Sequence, residues 1–186
     1  MGRSLLRPAG WFAVLLLALQ PAIVFAASSG PNSPGTLADD ASVGDVAWES
    51  TSNASASDNA YAGVNMENQL SHYLKASNFG FSIPTGATIN GIQVFVEHKA
   101  QNYEIDSSVK LLQDGSFSGD NKASATEWST VADETFTYGG VADTWGLTWT
   151  AAQINSSSFG VGIAVHDGDV DVWIGGEAKV DHITIT

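Results

Sequence analysis

Between residues 76 and 100 the chain reads ASNFGFSIPTGATINGIQVFVEHKA, and no other stretch limits its fold so tightly. Apolar side chains recur at every second position: Phe79, Phe81 and Ile83 before the break at 84–87, then Ile92, Val94 and Val96 after it. A period of two belongs to an extended strand with one buried face. Pro84 has no N–H to give a ladder and Gly86 tolerates positive φ. Pro-Thr-Gly-Ala therefore predicts a connection between two long core strands of paired β-structure, residues 70–83 and 88–99.

The first 26 residues stand apart from this pattern. Arg3 and Arg7 precede an apolar run at 11–19, and Val24-Phe25-Ala26 is a small-x-Ala ending of the kind signal peptidase accepts. The run is well short of the roughly 20 residues a membrane-spanning helix needs. Residues 1–26 are therefore expected to be a signal peptide, and the mature chain to be secreted, extracellular or at the cell surface, without a membrane span. Its removal takes two of seven basic residues and none of the twenty acidic ones, leaving five against twenty, a formal charge of −15. Phosphate recognition needs clustered Lys and Arg, so this balance argues against nucleic acid as a partner. The absence of cysteine removes thiol catalysis and cysteine zinc sites, and leaves an apolar core to hold the exported domain together. Hydrophobic residues make up 44% of the chain, enough to build that core.

Residues 27–41, rich in Ser, Gly and Pro, predict a flexible N-terminal arm before a domain at 42–186. Short strands are expected at 43–48, 60–66, 105–112, 135–138 and 144–149, the last with Trp145, Leu147 and Trp149 on one side. Thr150-Ala151-Ala152-Gln153 has the form of a capping box and predicts one short helical turn. In the last thirty residues Phe159, Val161, Ile163 and Val165 share one face, with Gly160, Gly162, Ala164 and His166 on the other. A two-residue turn at Asp167-Gly168 would set His166 opposite Asp169 and Ala164 opposite Asp171, with the Trp173 ring lying across Gly162. The strand at 178–186 has two incompatible parities. One places Glu177, Lys179 and Asp181 beside Ile183 and Ile185, the other buries Val180 and exposes the isoleucines, and a bulge would reconcile them. About eight or nine strands with regular turn signals and one helical turn predict an all-β, two-sheet antiparallel β-sandwich, jelly-roll-like in its long connections.

Several phrases occur together: Ser71-His72-Tyr73-Leu74-Lys75-Ala76, Phe79-Gly80-Phe81-Ser82-Ile83-Pro84, Trp145-Gly146-Leu147-Thr148-Trp149-Thr150 and Val180-Asp181-His182-Ile183. As a set, across about residues 31–186, they resemble a β-sandwich module of bacterial secreted and surface proteins and of phage tail- or virion-associated proteins. The resemblance implies a structural or adhesive module of largely unassigned activity and carries over no catalytic residues. In similar sequences the last strand runs on further, which implies a shortened edge strand or an incomplete sandwich here.

Asp167, Asp169 and Asp171 alternate and offer oxygen ligands of the kind calcium takes, although no Glu follows at the twelfth position of a calcium loop. Trp173, beside those acids and His166, has the makings of a sugar-binding surface, a ring to stack on a pyranose and carboxylates to accept its hydroxyl protons. Glu97 and Glu104 form a weak glycosidase pair, since nothing sets their separation. His72, His98, His166 and His182 show no paired spacing, and the Asn53 and Asn155 sequons are expected to be accidents of a Ser- and Asn-rich chain. A lysine-to-asparagine isopeptide bond is a further expectation for a surface protein without disulfides. The sequence thus predicts a non-enzymatic secreted or surface sandwich with a structural or adhesive role. The alternatives are a carbohydrate-binding module, with calcium as its expected cation, and a filament subunit in which residues 27–41 lend a strand to a neighbour. The partners expected are a surface glycan or another copy of the chain.

Overall fold

Alternation at 92–100 becomes a nine-residue strand, β4 (Ile92–Ala100), in which Ile92, Val94, Val96, His98 and Ala100 point inward. A computed structural model describes residues 27–167 and 175–186. Around β4 lie β1 (Thr36–Asp40), β2 (Ala62–Met66), β3 (Tyr73–Ser77), β5 (Glu104–Gln113), β6 (Ser116–Ser118), β7 (Glu134–Gly140), β8 (Gly160–Asp167) and β9 (Gly176–Ile185). Two antiparallel sheets result, ordered β1-β3-β8-β5-β6 and β2-β9-β4-β7. Every connection except β5 to β6 crosses from one sheet to the other, the jelly-roll-like pattern expected of two packed antiparallel sheets. The inward faces of Val64, Leu74, Val94, Val109, Ile163 and Val180 meet between them, all at most 1% exposed.

The strands on either side of Pro84 do not pair with each other: β3 and β4 belong to different sheets. Asn78 and Gly80 adopt positive φ, 60° and 67°, which ends the extended run after Ser77. Phe79 and Phe81 remain buried, as part of an aromatic cluster with Phe159 and Trp149 at ring separations of 5.3–6.5 Å. The predicted turn is present, with Ala87 N–H donating to the Pro84 carbonyl at 3.1 Å.

Residues 27–41 are built into both sheets rather than free. β1 pairs with β3 along its whole length. Ahead of it, Asn32 and Ile185 exchange backbone hydrogen bonds of 2.9 and 3.0 Å. Main-chain donors and acceptors need no apolar side chain to pair, so a polar, Pro-containing segment can supply an edge strand. The segment that strand exchange would lend to a neighbour is thus paired within its own chain.

Residues 43–48 contribute one parallel bridge, Val46 to Ser71, rather than a strand. Trp48 is buried there, its indole N–H donating to the His72 carbonyl at 2.9 Å. Residues 144–149 also fail to form a strand, because Trp145 sits at φ 60°. Its ring is fully buried, with Nε1 donating to the Ile92 carbonyl at 3.0 Å. Gly139 makes room for it, since a Cβ there would stand 2.4 Å from that nitrogen.

The parity conflict in the last strand is resolved by a bulge. Glu97 faces His182 while His98 faces Val180, which leaves Asp181 as the extra residue. Ala178, Val180, Ile183 and Ile185 can then all be buried. Asp181 is buried too, its carboxylate accepting the backbone N–H groups of Asp58 and Asn59 at 3.3 and 3.2 Å. β9 is an interior strand between β2 and β4, not a shortened edge. A second register shift, between Asp106 and Ser108 in β5, turns Glu104 and Asp106 to the same side as Val109 and Leu111.

The capping box forms as predicted at the start of α1 (Ala151–Ile154), with Thr150 Oγ1 accepting Gln153 N–H and the Gln153 side chain accepting Thr150 N–H. Thr150→Ala is expected to lower stability by about 1 kcal/mol, read as a shift in the urea midpoint at constant m-value.

Candidate functional site

β4 carries Gln93, Phe95 and Glu97 on the face turned away from the core. Register places Phe95 between Thr137 of β7 and Thr184 of β9, and Glu97 between Thr135 and His182. Neighbouring strands lie about 4.8 Å apart, so these six side chains form two adjacent rows on one surface. All but Thr137 line an open groove of about 320 Å³, together with Pro31 of the N-terminal segment and Thr186. His182 is held in place by Ser33, whose Oγ lies 2.8 Å from Nε2. The groove therefore presents one half-buried aromatic face, a carboxylate, an imidazole and threonine hydroxyls.

A second group of polar side chains is buried between the sheets. His98 is fully buried, its ring stacked on Trp128 with centroids 3.9 Å apart and edge-to-face with Phe136 at a centroid separation of 4.5 Å, and neither ring nitrogen has a hydrogen-bond partner among the described residues. Burial pushes its pKa down to about 3. Asp106 accepts the Trp128 indole N–H and the Ser124 backbone N–H, each at 2.9 Å. Burial pushes the Asp106 carboxyl up, and those two donors oppose the shift. Burial, then the Asp106 charge, raises the Tyr138 hydroxyl. These groups are shut off from solvent and serve the core.

Of the residues singled out in sequence, Asp167 ends β8 and is buried, directly opposite Glu104 of β5. Burial raises the Glu104 carboxyl, and the charges of Asp167 and Glu177 add to the effect. His166 lies on the outer face, with Nδ1 2.8 Å from the Asp167 carbonyl. Asp169, Asp171 and Trp173 fall outside the described residues, so the calcium hairpin and the Trp173 surface are represented here only by Asp167 and His166. The hairpin register predicted for Gly162 does not form: its ladder neighbours are Lys75 and Lys110. The space above it is taken by Phe117, whose Cε1 would be 2.3 Å from an added Cβ. Among the described residues no group of three carboxylates or histidines is placed to hold a metal ion.

Glu97 and Glu104 belong to different sheets, one facing outward and one buried, and do not face each other as a hydrolytic pair. Lys75, Lys99, Lys122 and Lys179 pair with carboxylates rather than with an asparagine amide. The Asn155 amide is occupied by both backbone groups of Ile83, at 2.7 and 2.9 Å. Sequence reading missed the juxtaposition of Glu97 with His182. The available signal was that Phe95 and Glu97 occupy the outward positions of the most regular strand.

No protein-family model matches the chain, and no curated protein does. Among solved structures, one described as "CBM4 structure and function" is similar over 70% of this chain and 86% of its own, at 12% identity and a TM-score of 0.38. A crystal structure with xylogluco-oligosaccharide is similar over 84% of this chain, which spans 39% of that one, at 14% identity and a TM-score of 0.42. Strand order and groove define the class: a two-sheet antiparallel β-sandwich carrying a mixed aromatic and polar groove on its four-stranded face.

Proposed function

We propose that the protein is a non-enzymatic, exported β-sandwich that binds a glycan in the groove over Phe95 and acts as an adhesive module. The observation that carries this reading is the register of three strands, which sets Phe95 among Thr137, Thr184, Glu97, Thr135 and His182. A pyranose has an apolar face of C–H groups and a rim of hydroxyls. An aromatic ring meets the first, and a carboxylate, an imidazole and threonine hydroxyls meet the second. Among the described residues Glu97 is the one acidic side chain lining the groove, whereas glycoside hydrolysis ordinarily uses a pair of Asp or Glu side chains flanking the bond, and this favours binding over cleavage.

Affinity electrophoresis through gels containing neutral polysaccharides tests the reading. Retardation by at least one polysaccharide is expected, with Phe95→Ala weakening it about thirtyfold through loss of roughly 2 kcal/mol of ring burial. Phe95 lies outside the core, so the variant should melt close to the parent. Retardation unchanged in Phe95→Ala, or absent with every polysaccharide, would refute the groove.

A further inference from the structure

The opposite outer face, on the five-stranded sheet, carries a second groove built on different residues. Gly162 of β8 lies beneath two of its lining rings, Phe117 and Tyr73, with Lys75 beside it on β3 and Lys110 beside it on β5. The missing side chain lets Phe117 lie across β8, stacked on Tyr73 at 4.0 Å and an interplanar angle of 27°. Tyr73 is itself buried and fixed by Ser108, with 2.7 Å between the hydroxyl oxygens, so the half-exposed Phe117 ring rests on a rigid base. The groove measures about 540 Å³ and is lined by Asp40, Ser42, Tyr73, Lys110, Ser116 and Phe117.

Its charges are arranged unlike those of the rest of the surface. The chain has twenty acidic residues, and four of its five described lysines lie within 3.5 Å of a carboxylate. Lys110 is the exception, the one lysine that forms no ion pair among the described residues, in a protein of formal charge −13. Asp40 also lines the groove, and its carboxylate is already held by Lys75 at 2.5 Å, which lowers its pKa and keeps it an acceptor. The groove thus combines a cation, a ring face, two serine hydroxyls and an ionised acceptor.

We infer that this groove is a binding site for a sugar acid, a pyranose whose ring stacks on Phe117, whose carboxylate pairs with Lys110 and whose hydroxyls reach Asp40, Ser42 and Ser116. A small inorganic anion would leave the ring unused, and a neutral sugar would leave the ammonium group unpaired. The inference stands independently of the groove over Phe95, which lies on the other sheet.

The test is isothermal titration of the protein with an oligogalacturonate and with the same oligomer after reduction of its carboxyl groups to alcohols. At about 0.15 M salt, screening beyond about 8 Å suppresses repulsion from the distant acids. The oligogalacturonate should bind, the reduced oligomer about tenfold more weakly, and Lys110→Gln should bring the first down to the second. Phe117→Ala should weaken both. Lys110 makes no ion pair among the described residues, so Lys110→Gln should melt as the parent does, and a loss of binding could not be blamed on unfolding. Equal binding of the two oligomers, undiminished binding by Lys110→Gln, or no heat from the oligogalacturonate would overturn the assignment. Loss in Phe95→Ala but not in Lys110→Gln would place the acid sugar in the other groove and overturn it equally.

Discussion

Trp128→Ala should cost about 5 kcal/mol, at or near the total stability of many domains of this size. Trp128 is 1% exposed and does three things at once: it fills space between the sheets, covers the His98 ring, and gives Asp106 its indole N–H. Removing a buried ring of that size leaves a cavity that the surrounding strands cannot close. It also strips one donor from a buried carboxylate, which adds the desolvation cost of the orphaned acceptor. Trp128→Phe separates the two contributions, because it keeps most of the volume and removes only the donor. It is expected to cost about 2 kcal/mol. Urea denaturation of both variants is the measurement. If the alanine variant lost less than the phenylalanine variant is expected to lose, Trp128 would not be anchoring this end of the sandwich.

The second large effect is loss of stability in mild acid, governed by His98. Its pKa is about 3 in the folded chain against an ordinary 6.5, so the unfolded chain takes up the proton first as pH falls. Stability from this group is fully present above pH 6.5 and is lost between 6.5 and about 3. The slope is roughly 1.4 kcal/mol per pH unit, about 4 kcal/mol over the whole interval. Glu104 and Asp106 act in the opposite sense. Their raised carboxyls are costly while ionised, and that cost is relieved when they protonate, so they offset part of the loss as pH falls. The comparison with His98→Phe, which keeps both carboxyls, isolates the histidine. His98→Phe should flatten the slope and raise the melting temperature at neutral pH, since it removes two unpartnered ring nitrogens while keeping a ring against Trp128. Denaturation curves from pH 7.5 to 5 provide the comparison. An unaltered slope in the variant would show that His98 does not govern the acid sensitivity.

The two proposed grooves differ in how they are made. Over Phe95 the binding groups come from β4, β7 and β9, three strands of one sheet separated by long stretches of chain. Over Gly162 the aromatic surface depends on an absent side chain, because only glycine lets Phe117 cross the strand beside Tyr73. A glycine facing outward at mid-strand reports such a crossing in sequence. It does not say which ring crosses: the sequence pattern points to Trp173, whereas the structure places Phe117 over Gly162.

By itself the sequence determined that the chain is a β-sandwich and where several of its strands run. Alternation at 92–100 and 159–165 sorts side chains by face, and the capping box at Thr150 is a local chemical pattern. It also exposed the parity conflict in the last strand, where no single alternation buries both Val180 and Ile185, but left open whether a bulge resolves it. The tertiary structure alone decided which strands pair, which residue bulges, and that β1 forms from a segment with almost no apolar side chains. The reason is that facing is written in side-chain polarity, which differs from residue to residue. Pairing is made by backbone N–H and C=O groups that nearly every residue carries alike, so β1 and the meeting of Glu97 with His182 leave little trace until the sheets assemble.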